Sequence, residues 1–390
     1  MEGDAPWSPR YREIAATMEC RPPEMNPLRV GIVGAGYISA AYLRVSQAFS
    51  QIRVVSCADL NPAAAKARAR EFGITASSID SLLKDESVQL VLNLTTPQSH
   101  VPVSLRAVEA GKHVYCEKPL GLSTAEAGPL LQAVKVHEVR LGCAPDTFLG
   151  AGQQTARNAL DRGLIGQPFG GIALVLMAGS ERWHPNPDFY YLPGAGPVFD
   201  MGPYYLTALV NLLGPISKVY SIGTKAFDYR TIGNGPRQGE RFPVKTLTHF
   251  CSLLQFVSGP LVTFVASFDV AGHGHPPIEI YGTEGTLQVP DPNRFGGVVR
   301  FCRRPDAQWE DVAPTHAFGD SDYRSLGVAE LAESLQNGRP HRTSEALAFH
   351  VLEVMEAIVE NASSDRPVQI QSSCERPRPL DPIPTIGSLR

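Results

Sequence analysis

The sequence predicts an α/β fold: an N-terminal doubly wound parallel sheet of Rossmann type, followed by an α+β unit built on a large, mostly antiparallel open sheet. Three observations predict it. From Leu28 onward, short apolar runs alternate with helical stretches, as in a repeated strand–helix–strand pattern. A Gly-x-Gly turn directly follows the first run. After about residue 150 the rhythm changes to longer alternating runs joined by tight turns.

The first-half runs are Leu28–Gly34, Ile52–Asp59, Val88–Thr95, His113–Cys116 and Arg140–Ala144. They are mostly Val, Ile and Leu and too short for helices, as strands buried on both faces are. Of the helices between them, one starts at the cap and first-turn pair Asn61-Pro62 and another at the capping box Ser123-x-x-Glu126. Pro129 is expected to kink the latter. Right-handed crossovers between such units give the parallel sheet.

In the second half a helix over Gln153–Leu164 leads to the strand Gly171–Met177, an aromatic loop, and a helix over Met201–Leu213. The alternating runs are Lys218–Thr224, Thr246–Val257, Leu261–Val270, Ile278–Tyr281 and Thr286–Val289. Ser258-Gly259-Pro260 and Thr283-Glu284-Gly285 read as hairpin turns between them. Helices over Tyr323–Gln336 and Ser344–Glu360 close the fold. The units expected are therefore an N-terminal extension 1–27, a dinucleotide-binding unit 28–149, a second unit 150–362 and a loosely packed, Pro-rich tail 363–390.

The chain has 390 residues, enough for two cores. A net charge of −4 with scattered Lys and Arg excludes an extended nucleic-acid surface. No apolar run approaches the roughly 20 residues of a membrane helix. The segment before Leu28 has acids and prolines but no apolar core of a signal peptide; it reads as a flexible extension or as an upstream start ahead of Met25. The seven cysteines never fall as C-x-x-C and suggest reduced thiols and a cytoplasmic protein. His249, His273 and His275 lack carboxylates at helical spacing, and no metal is expected.

Gly34-Ala35-Gly36-Tyr37-Ile38-Ser39 follows a strand and opens a helix. A dinucleotide needs the tight turn at Gly34, close backbone approach at Gly36, and the N–H groups of the helix start for its pyrophosphate. Ser39 stands where a third glycine is usual. Asp59, 20 residues beyond Ser39, ends the second run, where a carboxylate accepts from ribose hydroxyls and repels a 2′-phosphate. With Leu60 and Asn61 following rather than Arg, this favours NAD over NADP, and Asn61 is itself a candidate cofactor contact. A glycine turn in a nucleotide-free protein is the alternative. Thr95, Thr96 and Pro97 end another run at the carboxyl edge, on the nicotinamide side. His100 reads as a cofactor contact or a helix cap.

Tyr115-Cys116-Glu117-Lys118-Pro119 ends a further run, and Pro119 keeps Lys118 extended at the sheet edge. The ordered set of Gly-x-Gly, Asp59, Thr-Pro-x-x-x-His and Glu-Lys-Pro resembles the glucose–fructose oxidoreductase/inositol dehydrogenase (Gfo/Idh/MocA) family over roughly residues 28–360. The resemblance implies hydride transfer between a nicotinamide cofactor and a hydroxyl or carbonyl carbon of a sugar or polyol. It also implies a role for Glu117 beside the cofactor, Lys118 touching cofactor and substrate hydroxyl, and oligomerisation as dimer or tetramer through the second sheet.

The family's second pattern, Asp-x-Gly-x-His, is matched by Asp200 and Gly202, but Tyr204 takes the histidine position. A phenol, with its reference pKa near 10, needs a cation's help to act as a base. Asp200 also reads as a helix N-cap, and Tyr204 as core packing. His184 is a candidate for the missing histidine or a structural residue. Trp183 and Tyr190, in the same loop, suit stacking on a sugar ring, and Asp146 suits a substrate hydroxyl. A redox-neutral glycosidase or lyase with bound NAD, and a non-catalytic dinucleotide-binding protein, are the rival readings.

Overall fold

The computed structural model describes residues 26–364 and 366–383; the expectations for residues 1–25, Met25 included, and for residues 384–390 lie outside them. The first half contains six strands, Leu28–Val33 (β1), Ile52–Ala58 (β2), Thr75–Ser77 (β3), Leu90–Asn93 (β4), His113–Cys116 (β5) and Leu141–Cys143 (β6). They form one parallel sheet in the order β3-β2-β1-β4-β5-β6. Val30, Ile32, Val91 and Val114 are fully buried, because helices cover both faces. β3 escapes a hydrophobicity reading since Thr75-Ala76-Ser77 lies at the sheet edge with little apolar surface to bury. Helices Ser39–Ser46 (α1), Pro62–Phe72 (α2), Ile79–Lys84 (α3), Pro97–Glu109 (α4) and Thr124–Val136 (α5) connect the strands. Asn61 caps α2 by accepting from Ala63 N, and Ser123 caps α5 by accepting from Glu126 N. The α5 helix runs through Pro129 as one element. Strand order reverses between β1 and β4, so a crevice opens at their carboxyl ends.

The second half begins with helix Ala151–Asp161 (α6) and strand Pro168–Leu176 (β7), then helix Pro197–Leu213 (α7). Strands Ile216–Thr224 (β8), Tyr229–Thr231 (β9), Arg241–Pro243 (β10), His249–Phe256 (β11), Leu261–Ser267 (β12), Ile278–Gly282 (β13), Gly285–Val289 (β14), Val299–Arg303 (β15) and Trp309–Val312 (β16) follow. Helices Leu326–Gln336 (α8) and Glu345–Glu360 (α9) and strand Val368–Gln369 (β17) complete the described chain. The main sheet has nine strands in the order β16-β15-β14-β13-β7-β12-β11-β8-β17, and β9 and β10 form a separate hairpin. Within the nine-stranded sheet only β7–β12 is parallel. On β11 buried and outward residues alternate: Phe250, Ser252 and Leu254 are buried, whereas Cys251, Leu253 and Gln255 face away from the core. Helices α7 and α9 cover the inner face.

Three expectations are corrected. Helix α7 starts at Pro197 behind Gly196, which has φ 94°, so Asp200 lies in its first turn rather than at its cap. Helix α8, late in the chain, packs on the N-terminal sheet: Val328, Leu331 and Ala332 join the core of Val30, Leu90 and Tyr115. The second unit is thus not continuous from 150 to 362. The tail is also held. β17 pairs with β8, Arg157 donates to Pro377 O at 2.8 Å, and Leu380 N donates to Gln154 at 2.8 Å. Both the N–H groups and the carbonyls of the segment take part: Gln371 N and Ser372 N donate to Glu353, and Arg342 donates to Arg378 O and Pro379 O.

Candidate active site

The glycine turn sits between β1 and α1. Gly34 has φ 104°, and a Cβ there would stand 2.5 Å from Leu94 O, so only glycine fits. At Gly36 a Cβ would meet nothing within 4 Å, and Tyr37 is 97% exposed, which leaves this backbone open to a ligand. Ser39 is buried and donates to Gly36 O at 2.6 Å, so the third-glycine position is filled by a side chain that braces the turn. Ile38 is the residue at the cap position of α1. Asp59 accepts from Ala35 N at 2.7 Å and from Asn61 N at 2.8 Å, which fixes its carboxylate beside the turn. A cavity of about 530 Å³ adjoins Asp59, lined also by Leu60, Lys66, Ser77, Ser78 and Arg106. These features fit the adenosine end of a dinucleotide. Arg68 reaches Gly36 O at 3.3 Å, but its charge is countered by Glu71.

Farther along the crevice, Thr95 is tied to Asn93 Oδ1 through both N–H and hydroxyl, and Thr96 and Pro97 open α4. Three assignments change here. Asn61 spends its side-chain oxygen on capping α2. His100 is 1% exposed, its ring wedged between Pro119 O at 2.6 Å and Thr95 O at 3.1 Å; burial lowers its pKa. It braces two edge loops rather than facing the crevice. Glu117 accepts from Tyr42 Oη at 2.8 Å and from Lys118 N at 2.9 Å, turning its carboxylate into the fold.

Lys118 spans the two halves. Its Nζ donates to Asp200 O at 2.6 Å and to Asp200 Oδ1 at 3.1 Å, and it lies 5.1 Å from the centre of the Tyr204 ring. Burial opposes the ammonium, but Asp200, Tyr204 and Glu117 outweigh it, and the lysine pKa stands above its ordinary value. These partners favour the charged form of Lys118. Asp200 and Tyr204 reach it because they lie four residues apart, on one face of α7. Tyr204 is 8% exposed; burial raises its phenol pKa, Lys118 lowers it, Glu117 raises it and Arg324 lowers it, with a net rise.

His184 lies elsewhere. Its Nδ1 accepts from Asn186 N at 3.0 Å and its ring packs against Trp183, Phe189 and Tyr190. It is a structural member of an aromatic cluster, not the partner of Lys118. Tyr190 links that cluster to the site: burial pushes its phenol up to about 12, and Asp200, Lys118 and Tyr204 are among the charges it feels. Trp183 is 54% exposed beside it. The loop is clamped from below by buried Arg230, which donates to Glu181 at 2.7 Å and also pairs with Asp269, and from the β9–β10 side by Arg237, bidentate on Asp188 at 2.7 and 3.1 Å.

Asp146 is also reassigned. It is 2% exposed and accepts from Gly327 N at 2.9 Å and Ser325 N at 3.3 Å, at the start of α8. Burial pushes its carboxyl up to about 6, despite the opposing pull of these N–H groups. It fastens α8 rather than holding a substrate hydroxyl. Reading the sequence missed Asn93, Tyr42 and Arg324; of these only Asn93, a polar residue inside an apolar run, leaves a signal.

A Rossmann half with a glycine turn, joined by a lysine to an acid and a phenol on a second half, defines a nicotinamide-dependent oxidoreductase. The oxidoreductase family with an NAD-binding Rossmann fold, Gfo/Idh/MocA, matches residues 28–144, and the C-terminal domain of the same family matches residues 153–288. The chain belongs to this family. It is similar to levoglucosan dehydrogenase of Pseudarthrobacter phenanthrenivorans, at 24% identity over 89% of this chain and 99% of that protein. It is 30% identical to inositol 2-dehydrogenase of Salmonella paratyphi B over 36% of this chain, spanning 44% of that enzyme. Among solved structures, levoglucosan dehydrogenase in complex with NADH and levoglucosan superposes with a TM-score of 0.76 at 22% identity, covering 89% of this chain and all of that one. An NAD-binding oxidoreductase from Klebsiella pneumoniae gives 0.77 at 23% identity, covering 88% of this chain and 99% of its own. The chain is an NAD(P)-dependent enzyme acting on CH–OH groups. The redox-neutral and non-catalytic readings gain no support from these relatives.

Proposed function

We propose that the enzyme oxidises a secondary hydroxyl of a cyclic polyol or sugar derivative with NAD, and catalyses the reverse reduction. The observation that carries this reading is the Lys118–Asp200–Tyr204 cluster, where an ammonium fixed at 2.6 Å on the backbone of Asp200 lies 5.1 Å from the ring of a buried phenol. The nicotinamide, when bound, accepts or returns hydride. Lys118 stabilises the negative charge that develops on the reacting oxygen, as a preplaced cation in a dry site does. In its tyrosinate form, which the Lys118 cation favours, Tyr204 takes the hydroxyl proton in oxidation, and the phenol so formed returns it in reduction. Asp200 orients the lysine through both of its acceptors.

Trp183 and Tyr190 offer ring faces to a sugar, in keeping with full-length similarity to a levoglucosan dehydrogenase and partial similarity to a 1,5-anhydro-D-fructose reductase of Ensifer adhaerens. Asp59 beside the glycine turn favours NAD, since a 2′-phosphate would meet its carboxylate. The outward sheet face exposes Ile222, Leu253 and Leu261, an apolar surface suited to a dimer or tetramer through the second sheet. The cysteines of the described residues are all free thiols, in keeping with a reducing compartment, and the cytoplasm is the expected location.

The test is purified enzyme with NAD or NADP against a panel of inositols, anhydrosugars and hexoses, followed by nicotinamide absorbance. NADH formation on ring polyols, with NADP slower, is the expected result. No reduction of either cofactor by any member, together with no NAD binding by calorimetry, would overturn the reading.

A further inference from the structure

Three donors converge on one carbonyl of the glycine turn. Gly36 O accepts from Ser39 N at 3.3 Å, from Ser39 Oγ at 2.6 Å and from Arg68 Nη2 on α2 at 3.3 Å. The guanidinium is held on its other sides as well: Nη1 pairs with Glu71 at 2.5 Å, and its central carbon lies 5.9 Å from the centre of the Phe72 ring. Ser39 is fully buried, so its hydroxyl has a fixed place under the turn. One residue before Gly36, Ala35 N donates to Asp59 Oδ2 at 2.7 Å. The backbone from Ala35 to Gly36 is therefore pinned at both ends, by the end of β2 and by α2. A trans peptide is planar and sets its N–H opposite its C=O. With Gly36 O drawn toward Ser39 and Arg68, the N–H of Tyr37 is turned away from them, at a residue that is 97% exposed.

We infer that Arg68 and Ser39 are positioning residues for the dinucleotide: by holding the Gly36 carbonyl they present the Tyr37 N–H to its pyrophosphate. This rests on the reading of the glycine turn as the cofactor site. An anion is bound more tightly by N–H groups that are already oriented, since no turn has to be ordered on binding. Arg68 acts through the backbone rather than by its own charge, because Glu71 pairs with the same guanidinium and offsets it. Ser39 stands where a third glycine is usual, and that glycine would allow close packing but offer no hydroxyl to the carbonyl. Part of the rigidity of the turn therefore resides in two side chains, one of them 32 positions beyond Gly36 in sequence.

The test is calorimetric titration of the full chain with NAD, ADP-ribose and adenosine, at low and at physiological ionic strength. The first two ligands carry the pyrophosphate and the third does not. Arg68→Met should weaken NAD and ADP-ribose about tenfold at both ionic strengths, the equivalent of one hydrogen bond, with adenosine affinity unchanged. Arg68→Lys, which keeps a donor for the carbonyl, should restore part of the loss. Ser39→Ala should weaken the same two ligands without altering any charge, and it carries the test by itself if Arg68→Met does not fold. A loss in Arg68→Met seen only at low salt would assign the arginine to long-range attraction instead. A loss shared equally by adenosine would mean that the whole adenosine end has been distorted. Either result, or wild-type affinity in Arg68→Met or in Ser39→Ala, overturns the inference. Wild-type protein that binds neither NAD nor ADP-ribose defeats the cofactor reading itself, whereas a wild type that binds both, with unchanged variants, defeats this inference alone.

Discussion

At the glycine turn the groups proposed to face the cofactor are backbone atoms and one carboxylate, all contributed by residues between Gly34 and Asp59. At Lys118 they are the side chains of Asp200 and Tyr204, which arrive on one helix from the other half of the chain. The first end recognises through a locally encoded backbone shape; the second works through charges placed by tertiary packing. A backbone site tolerates change in its side chains but not in its glycines. A side-chain site fails when one charge is lost.

The largest effect is expected at the charged end. Lys118→Met should lower kcat for oxidation about a thousandfold while NAD affinity falls far less, because the lost interaction is strongest in the transition state. Stopped-flow turnover alongside calorimetric NAD binding measures both. Equal loss in the two would place Lys118 on the cofactor alone and erase the contrast.

The backbone end is tested by its two glycines. Gly34→Ala forces a Cβ to within 2.5 Å of Leu94 O and should lower the melting temperature as well as NAD affinity. Gly36→Ala meets no atom within 4 Å, so the cofactor-free protein should melt as wild type while NAD binding weakens by about ten- to a hundredfold. Wild-type NAD affinity in Gly36→Ala would mean that the dinucleotide lies elsewhere.

Between the two ends Asp146 fastens α8 to the N-terminal sheet, and its chemistry makes that seam pH-sensitive. Its folded pKa of about 6 stands above the unfolded value near 3.9, so the folded state binds the extra proton. The associated stability is fully present below about pH 4 and is lost as pH rises through 6, a span worth about 3 kcal/mol. Asp146→Asn carries no titrating proton. Urea unfolding should therefore show wild type losing stability relative to the variant across that window. A pH-independent difference would mean that the carboxyl is solvated and the seam is held by other contacts.

This contrast also decides what the sequence reveals. The parallel strands, the caps at Asn61 and Ser123 and the approach of Asp59 to the Gly34 turn were legible because local spacing determines each of them. Lys118, Asp200 and Tyr204 were legible as motif residues, and the structure unites them. Asp146, His100 and Glu117 misled because a carboxylate or imidazole at a strand edge has the same local signature whether it faces a ligand or braces a loop; only packing separates the two. Ser325 left no signature, since its backbone conformation is held by residues 179 and 283 positions away in sequence.

The smallest effect is expected at the rim of the charged end, where Arg237 from the β9–β10 hairpin grips Asp188 in the aromatic loop. Arg237 holds the Asp188 carboxyl below its ordinary pKa, yet both side chains are more than a third exposed, so solvent screens the pair and it contributes little to stability. Loosening this clamp leaves Lys118, Asp200 and Tyr204 untouched but frees the loop that presents Trp183 and Tyr190. Arg237→Ala should therefore raise the sugar KM about fivefold with kcat nearly unchanged, and steady-state kinetics at saturating NAD separates the two. A fall in kcat with KM constant would instead show that the hairpin transmits strain to the α7 cluster, so that the rim and the charged centre are one mechanical unit.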